Sequence, residues 1–286
     1  QLGRVGTFGG SKDYTGAPFF ASMSALRAGA DLSYVLTAEE AAPALKAYSP
    51  ELMVTPVYSS AKLTDRSPEG KDELVRAVTS LLPKLHSLLL GPGMGRNPIV
   101  LAATAEIVRG ARERGLPVVL DADSLTMVAG NPDTVRGFPL AVLTPNANEF
   151  RLLCERMEWD TDTDTAAACA GDGDGSGGGK LKGRAEGGAG GAGVAGAAVA
   201  ATEEEKKFLV GARGRALAAA TEEEEKKMLA VERLARFLGG VTVVSKGKVD
   251  VISDGVRTIA CAVPGGLKRC GGIGDVLAGA MGTSHA

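Results

Sequence analysis

Short apolar runs alternate with helix-like segments along most of this 286-residue chain. Arg4–Phe8, Asp31–Leu36, Leu52–Val54, Ser87–Leu90, Val118–Leu120 and Ala141–Leu143 read as strands. Between them, Ala17–Ala28, a segment capped at Thr37, Lys71–Leu82 and a segment opening at Asn97-Pro98 carry helical spacing. Runs that are apolar throughout and too short for helices suit strands covered on both faces. Parallel strands need helical crossovers, so this alternation predicts an α/β fold: a mainly parallel central sheet flanked by helices. The runs Val241–Ser245, Val249–Ile252 and Arg257–Ala262 follow one another too closely for such crossovers, which predicts an antiparallel edge. Gly272–Gly282 reads as a closing helix.

Two local signals sharpen the helix starts. Thr37 with Glu40 three residues on has the spacing of a capping box. Asn97 can cap a helix whose first position is Pro98. One segment, 160–228, does not follow the pattern. Of the chain's 40 glycines, thirteen fall in Gly171–Gly196, where no aromatic residue occurs. Such composition buries too little apolar surface to offset the entropy of ordering, so a largely disordered insertion is expected inside a single domain spanning 1–286. Two near-copies, Ala201–Leu209 and Ala220–Leu229, follow as helix formers, and docking is expected only near Val231. Gly173-x-Gly175-x-x-Gly178 and Gly188-x-Gly190-x-x-Gly193 spell a dinucleotide fingerprint, but neither follows a strand. Gly179-Lys180 resembles the end of a Walker A loop, yet Asp174 and Leu181 break it.

Several function classes are excluded. The net charge is −2 with no basic block, which gives no footprint for a nucleic-acid partner. No apolar run approaches the roughly 18 residues of a membrane span. Cys154, Cys169, Cys261 and Cys270 lack metal-binding spacing and read as reduced thiols of an intracellular protein. The two histidines, His86 beside a strand and His285 near the last residue, are poorly placed for a nucleophile–histidine pair. The chain opens almost directly into a strand and stops after a helix-like segment, so it reads as a fragment incomplete at both ends, with no targeting segment visible.

The chemistry-bearing residues lie outside the insertion. In Arg269-Cys270-Gly271-Gly272-Ile273-Gly274-Asp275, glycines precede a helix start, where bare backbone N–H groups attract phosphate. Asp275 in the first turn could take a proton from an attacking hydroxyl, or simply be an acidic first-turn residue. Asn146-Ala147-Asn148-Glu149 follows a strand end, where open α/β sheets bind ligands. Asn146 with Glu149 could hold Mg²⁺ through water or fix a phosphate; the same spacing is a capping box. Lys246-Gly247-Lys248-Val249-Asp250 is either a phosphate-pairing lysine at a strand end or a solvated hairpin turn. The loop at Gly91–Gly95 with Arg96, and Asp121-Ala122-Asp123, occupy further strand ends.

These segments, with Gly9-Gly10-Ser11, Tyr14-Thr15-Gly16-Ala17-Pro18, Ala28–Leu32, Asp121–Leu125 and Leu143–Phe150, resemble the ATP-dependent NAD(P)H-hydrate dehydratase family, in particular its eukaryotic branch. The resemblance covers residues 1–158 and 229–286. It implies a ribokinase-like fold and nicotinamide nucleotide repair: ATP, with Mg²⁺, phosphorylates the ring hydroxyl of (6S)-NADH or (6S)-NADPH hydrate, and elimination of phosphate regenerates NAD(P)H. It implies that Asp275 is the catalytic base, and that Gly95, Asn146, Ala147, Asn148, Glu149, Phe150, Arg151 and Leu152 contact the hydrated nucleotide. ATP would meet Lys246, Gly247, Lys248, Val249 and Asp250, together with Gly265, Gly266, Leu267, Lys268, Arg269, Cys270, Gly271, Gly272, Ile273 and Gly274. A small-molecule partner is implied, in a cytoplasmic, mitochondrial or plastid setting, and the family's members are often homo-oligomers. Two positions depart from the pattern: Lys268-Arg269 replaces a pair of arginines, and Ile273 a glutamine. Two other readings are a small-molecule kinase of the same fold, which would stop at the phosphate ester, and a nucleotide-binding module without catalysis.

Overall fold

The computed structural model describes residues 3–63, 68–156, 222–266 and 270–286. Nine strands form one sheet in the order β3-β2-β1-β4-β5-β6-β7-β8-β9. They are β1 (Arg4–Phe8), β2 (Leu32–Ala38), β3 (Met53–Tyr58), β4 (Ser87–Leu90), β5 (Val118–Leu120), β6 (Ala141–Leu143), β7 (Thr242–Ser245), β8 (Asp250–Ser253) and β9 (Thr258–Cys261). All pairings from β3 across to β7 are parallel, and β7–β8 and β8–β9 are antiparallel, as the spacing predicts. β4, β5 and β6 are fully buried because helices cover both faces there, which explains their apolar runs; the polar Ser87 is satisfied by the Gly282 carbonyl.

The helices are α1 (Gly16–Arg27), α2 (Ala42–Tyr48), α3 (Pro68–Thr79), α4 (Pro98–Glu113), α5 (Asp123–Gly130), α6 (Ala147–Arg156), α7 (Glu222–Phe237) and α8 (Ile273–Ser284). Asn97 caps α4 as expected, its Oδ1 accepting from the Ile99 N–H at 2.9 Å. The expected capping box at Thr37 does not form. Thr37 continues β2, where pairing with β3 outweighs the local signal, and α2 starts later, at Ala42, with no side-chain cap. Glu40 instead accepts from the Ser60 backbone N–H at 2.9 Å. β3 is also longer than its apolar run suggests and carries Pro56, which an edge strand tolerates because its outer side needs no ladder donor.

The larger core buries Phe8, Leu36, Leu88, Leu90, Ile107 and Leu120 among many others. α7 belongs to it, docking from Met228 onward through Val231, Leu234 and Ala235. Its first turn, Glu222–Glu225, falls within the segment expected to be disordered; residues 157–221, with the two fingerprint look-alikes, the Walker-like Gly179-Lys180 and the first near-repeat, lie outside the described residues.

On the opposite face, Leu89, Val119, Val142 and Val244 pack with Ala21 of α1 and Ala278 of α8. α1 and α8 cross closely enough that a Cβ on Gly279 would meet the Ala21 carbonyl oxygen at 2.0 Å. Polar side chains stitch the crossing: Ser24 Oγ donates to the Val276 carbonyl at 2.8 Å, Thr283 Oγ1 to Ala25 at 3.0 Å, and Ser87 Oγ to Gly282 at 2.6 Å. This packing fixes where the N-terminus of α8 emerges at the strand ends.

Candidate active site

β1 is flanked by β2 on one side and β4 on the other, so the chain order reverses there and opens a crevice beyond the strands' C-terminal ends. The loop after β1 and the loop after β4 meet in it, with the Gly10 N–H donating to the Pro92 carbonyl at 2.9 Å. A cavity of about 740 Å³ lies here, lined by Ser11, Tyr14, Gly95, Arg96, Asp123 and Asp275 among others. That volume suits a sizeable organic ligand.

α8 points its N-terminus at this cavity. Gly272 precedes it at φ 88°, ψ −7°, a left-handed conformation that favours glycine, and supplies no side-chain cap. The first-turn N–H groups are therefore free of a side-chain acceptor from Gly272, and an anion there would satisfy them. Asp275 sits in the same turn and lines the cavity. Burial, reinforced by the carboxylates of Asp121 and Glu149, pushes its carboxyl up to about 7, against the opposing pull of Lys246. A carboxylate so tuned can exchange protons near neutral pH.

Behind Asp275 lies an ion pair that joins strand ends far apart in sequence. Asp121, at the end of β5, is 2% exposed. Its Oδ1 accepts from Thr144 Oγ1 at 2.8 Å and from Lys246 Nζ at 2.6 Å. Asp123, two residues on, faces the other way, its Oδ2 accepting from the Gly95 N–H at 2.8 Å and its Oδ1 lying 3.4 Å from Arg96 Nε. Between them Ala122 takes φ 50°, ψ −120°, the single non-glycine residue with positive φ among the described residues.

The other predicted site residues are distributed as follows. Asn146 and Glu149 form the reciprocal box of their spacing: Asn146 Oδ1 accepts from the N–H groups of Asn148 and Glu149 at 3.0 Å, and Glu149 Oε2 from the Asn146 N–H at 2.8 Å. Burial raises the Glu149 pKa, with Lys246 pulling against it. Along α6, Ala147 and Asn148 are exposed, whereas Phe150 is in the core, Leu152 packs against it and Arg151 pairs outward with Glu155. Lys246 ends up beneath Gly274, where a Cβ would lie 3.3 Å from its Nζ. Gly247 N–H donates to Asp250 Oδ1 at 2.8 Å, closing the β7–β8 turn; Lys248 is exposed, and the Val249 carbonyl accepts from Lys227. Gly265, Gly266, Cys270 and Gly271 are exposed, and Leu267, Lys268 and Arg269 lie outside the described residues. The Ile273 side chain is turned to solvent rather than into the turn. Met94, from the glycine loop expected to meet a ligand, lines the cavity; Lys12, Tyr58 and Ser60 also line it and carry no local signal, because they gather only through the sheet order. Among the described residues no three metal-ligating side chains cluster, and no helix is long and apolar enough to cross a membrane.

Residues 5–174 and 202–284 match the family model described as NAD(P)H-hydrate dehydratase, so the match enters the 160–228 segment from both sides. The chain is 37% identical over 284 residues to the ATP-dependent (S)-NAD(P)H-hydrate dehydratase of Emericella nidulans, and 38% identical over 282 residues to that of Bos taurus. In each case 99% of this chain matches, but it spans only 64% of the relative's length. Among solved structures, a ribokinase-like superfamily protein from Enterococcus faecalis superposes with TM-score 0.62 at 18% identity, covering 99% of this chain and 70% of that one. The ADP/ATP-dependent NAD(P)H-hydrate dehydratase of Bacillus subtilis, co-crystallised with ATP/Mg²⁺, superposes with TM-score 0.55 at 18% identity, over 99% and 72%. The fold is thus ribokinase-like.

Proposed function

The chain belongs to the NAD(P)H-hydrate dehydratase family, and from that premise we propose that it restores NAD(P)H from (6S)-NAD(P)H hydrate at the expense of ATP. One observation carries the reading beyond family membership: Asp275, its carboxyl pushed up to about 7, lines the cavity from the first turn of a helix whose N-terminus has no side-chain cap. A base and an anion site are thus adjacent.

Hydroxide is a poor leaving group and phosphate a good one, so the hydroxyl of the hydrated ring must first be esterified. Asp275 takes the hydroxyl proton as the oxygen bonds to the γ-phosphorus of ATP and the bond to ADP breaks. The N–H groups at Gly272–Gly274 face the charge on the transferring phosphoryl oxygens. The ring nitrogen's electron pair then expels phosphate, and loss of a proton from the neighbouring ring carbon restores the double bond. The Ser11–Tyr14 and Gly93–Asn97 loops enclose the hydrated nucleotide. Mg²⁺ would neutralise the triphosphate; since no three metal-ligating side chains cluster among the described residues, phosphate and water would supply most of its ligands.

The test is absorbance at 340 nm from hydrated NADH with ATP and Mg²⁺. Recovery of the band, with ADP and phosphate released in equal amounts, is expected. ATP consumption on another alcohol, with no recovery, would leave a kinase that stops at the ester.

A further inference from the structure

We propose that Asp121 is a positioning residue: it holds the Lys246 ammonium beneath the Gly271–Gly274 turn, where phosphate charge would develop, and its effect on the plateau rate runs through that lysine. This rests on the ATP-dependent reading above.

Four observations converge. Asp121 is buried, and its Oδ1 binds Lys246 Nζ at 2.6 Å across 125 residues of sequence. Thr144 Oγ1 donates to the same oxygen at 2.8 Å and so fixes the carboxylate's orientation. A Cβ on Gly274 would lie 3.3 Å from Lys246 Nζ and 4.0 Å from Asp121 Oδ2, which puts the pair against the turn itself. The chain also accepts unfavourable backbone geometry at Ala122 to produce this arrangement. A strand continuing past Leu120 would alternate its side chains, leaving Asp121 and Asp123 on one side. With Ala122 at φ 50°, Asp121 turns inward to Lys246 and Asp123 outward to the Gly95 N–H. Strain of this kind persists where the surroundings over-determine it, and it concentrates at functional sites.

The physical role follows from what lysine lacks. Its ammonium is a point charge on a flexible four-carbon stem, so its position must be imposed by a partner. The carboxylate imposes it while Nζ keeps two further protons to donate toward the turn. Asp121 itself touches neither substrate nor phosphate in this scheme.

A double-mutant cycle tests the idea. D121N, K246M and the double variant are assayed for repair on the alkaline plateau of the pH profile, where the ionisation of Asp275 no longer limits the rate, and, by calorimetry, for ATP-Mg²⁺ binding. Each single change is expected to lower kcat roughly 10- to 100-fold with KM for the hydrate little altered, and the double variant to match K246M within about threefold. Losses that multiply, or D121N with wild-type kcat and ATP affinity, would overturn the proposal. D121N leaves a part-buried ammonium without its carboxylate, so melting curves accompany each variant. If it does not fold, the comparison of K246M with the double variant still decides: equal activity supports the proposal, lower activity in the double overturns it. If hydrated NADH is not repaired at all, the functional reading fails separately, and the same cycle is read in ATP affinity. A chain that binds no ATP-Mg²⁺ would remove both.

Discussion

Replacing Asp275 by asparagine separates a chemical role from a structural cost, because the two effects have opposite signs. The carboxyl is pushed from its ordinary 3.8 up to about 7, with burial the largest cause. At about 1.36 kcal/mol per pH unit, the ceiling on the cost of ionising it in the folded chain is ~4 kcal/mol. The side chain is only part-buried, so solvent screening reduces this to about 2 kcal/mol. A raised carboxylate pKa means that the native state holds a proton the unfolded state has released. Its contribution to stability is therefore full below pH 3.8 and falls as pH rises toward 7. D275N carries no such cost. Melted side by side, parent and variant should agree near pH 4 and separate as pH rises, the variant melting roughly 5 °C higher at pH 8. Groups remote from Asp275 cancel, so the difference curve reports this carboxyl together with its coupling to Asp121, Glu149 and Lys246. The same variant should lose at least about 100-fold in kcat while still binding ATP-Mg²⁺. A difference in melting temperature that does not change with pH would refute the electrostatic reasoning, and near-normal turnover would refute the base.

Three further outcomes are expected. G279A should destabilise the chain by about 2 kcal/mol in urea and lower kcat, because the new methyl meets the Ala21 carbonyl at 2.0 Å and Ser24 Oγ at 2.1 Å; an unchanged urea midpoint would show that the helices can part freely. A122G should raise stability by roughly 1 kcal/mol by relieving the φ of 50°, yet lower kcat as the turn loosens, and a loss of stability would contradict the strain. D121N should move the acid limb of kcat/KM to lower pH, since the Asp121 carboxylate is among the groups that raise Asp275; a limb that stays in place or moves up would count against that coupling.

Much of the fold could be read from the sequence because its strands announce themselves locally. Ser87–Leu90, Val118–Leu120 and Ala141–Leu143 are apolar at every position but Ser87, since both sides are covered, and their observed bounds coincide with the expected ones. Asn97-Pro98 and the Asn146–Glu149 box also acted locally. Thr37 shows where local signals lose. Its spacing to Glu40 is correct for a cap, but sheet pairing with β3 extends the strand through it. At the site, the glycine turns and Asp275 were visible as a strand-end-to-helix pattern. The Asp121–Lys246 pair was not, because nothing local connects the residues that follow β5 and β7 until β6 is laid between those strands. Phe150 stands within a motif segment yet serves the core, which a helix does whenever one face of its first turns must be buried.

The crossing of α1 and α8 also sets an order of events during synthesis. α1 leaves the ribosome well before α8, and its Ser24 and Ala25 find their partners only 252 and 258 residues later. Until then one face of the central strands lacks its second covering helix, and the Asp275 turn has no seat. Contacts so distant in sequence form late, so the seating of α8 against α1 and the appearance of the site coincide. A nascent or interrupted chain could hold most of its sheet and still have no turnover. In the proposed reaction, turnover would report that α8 has taken its seat.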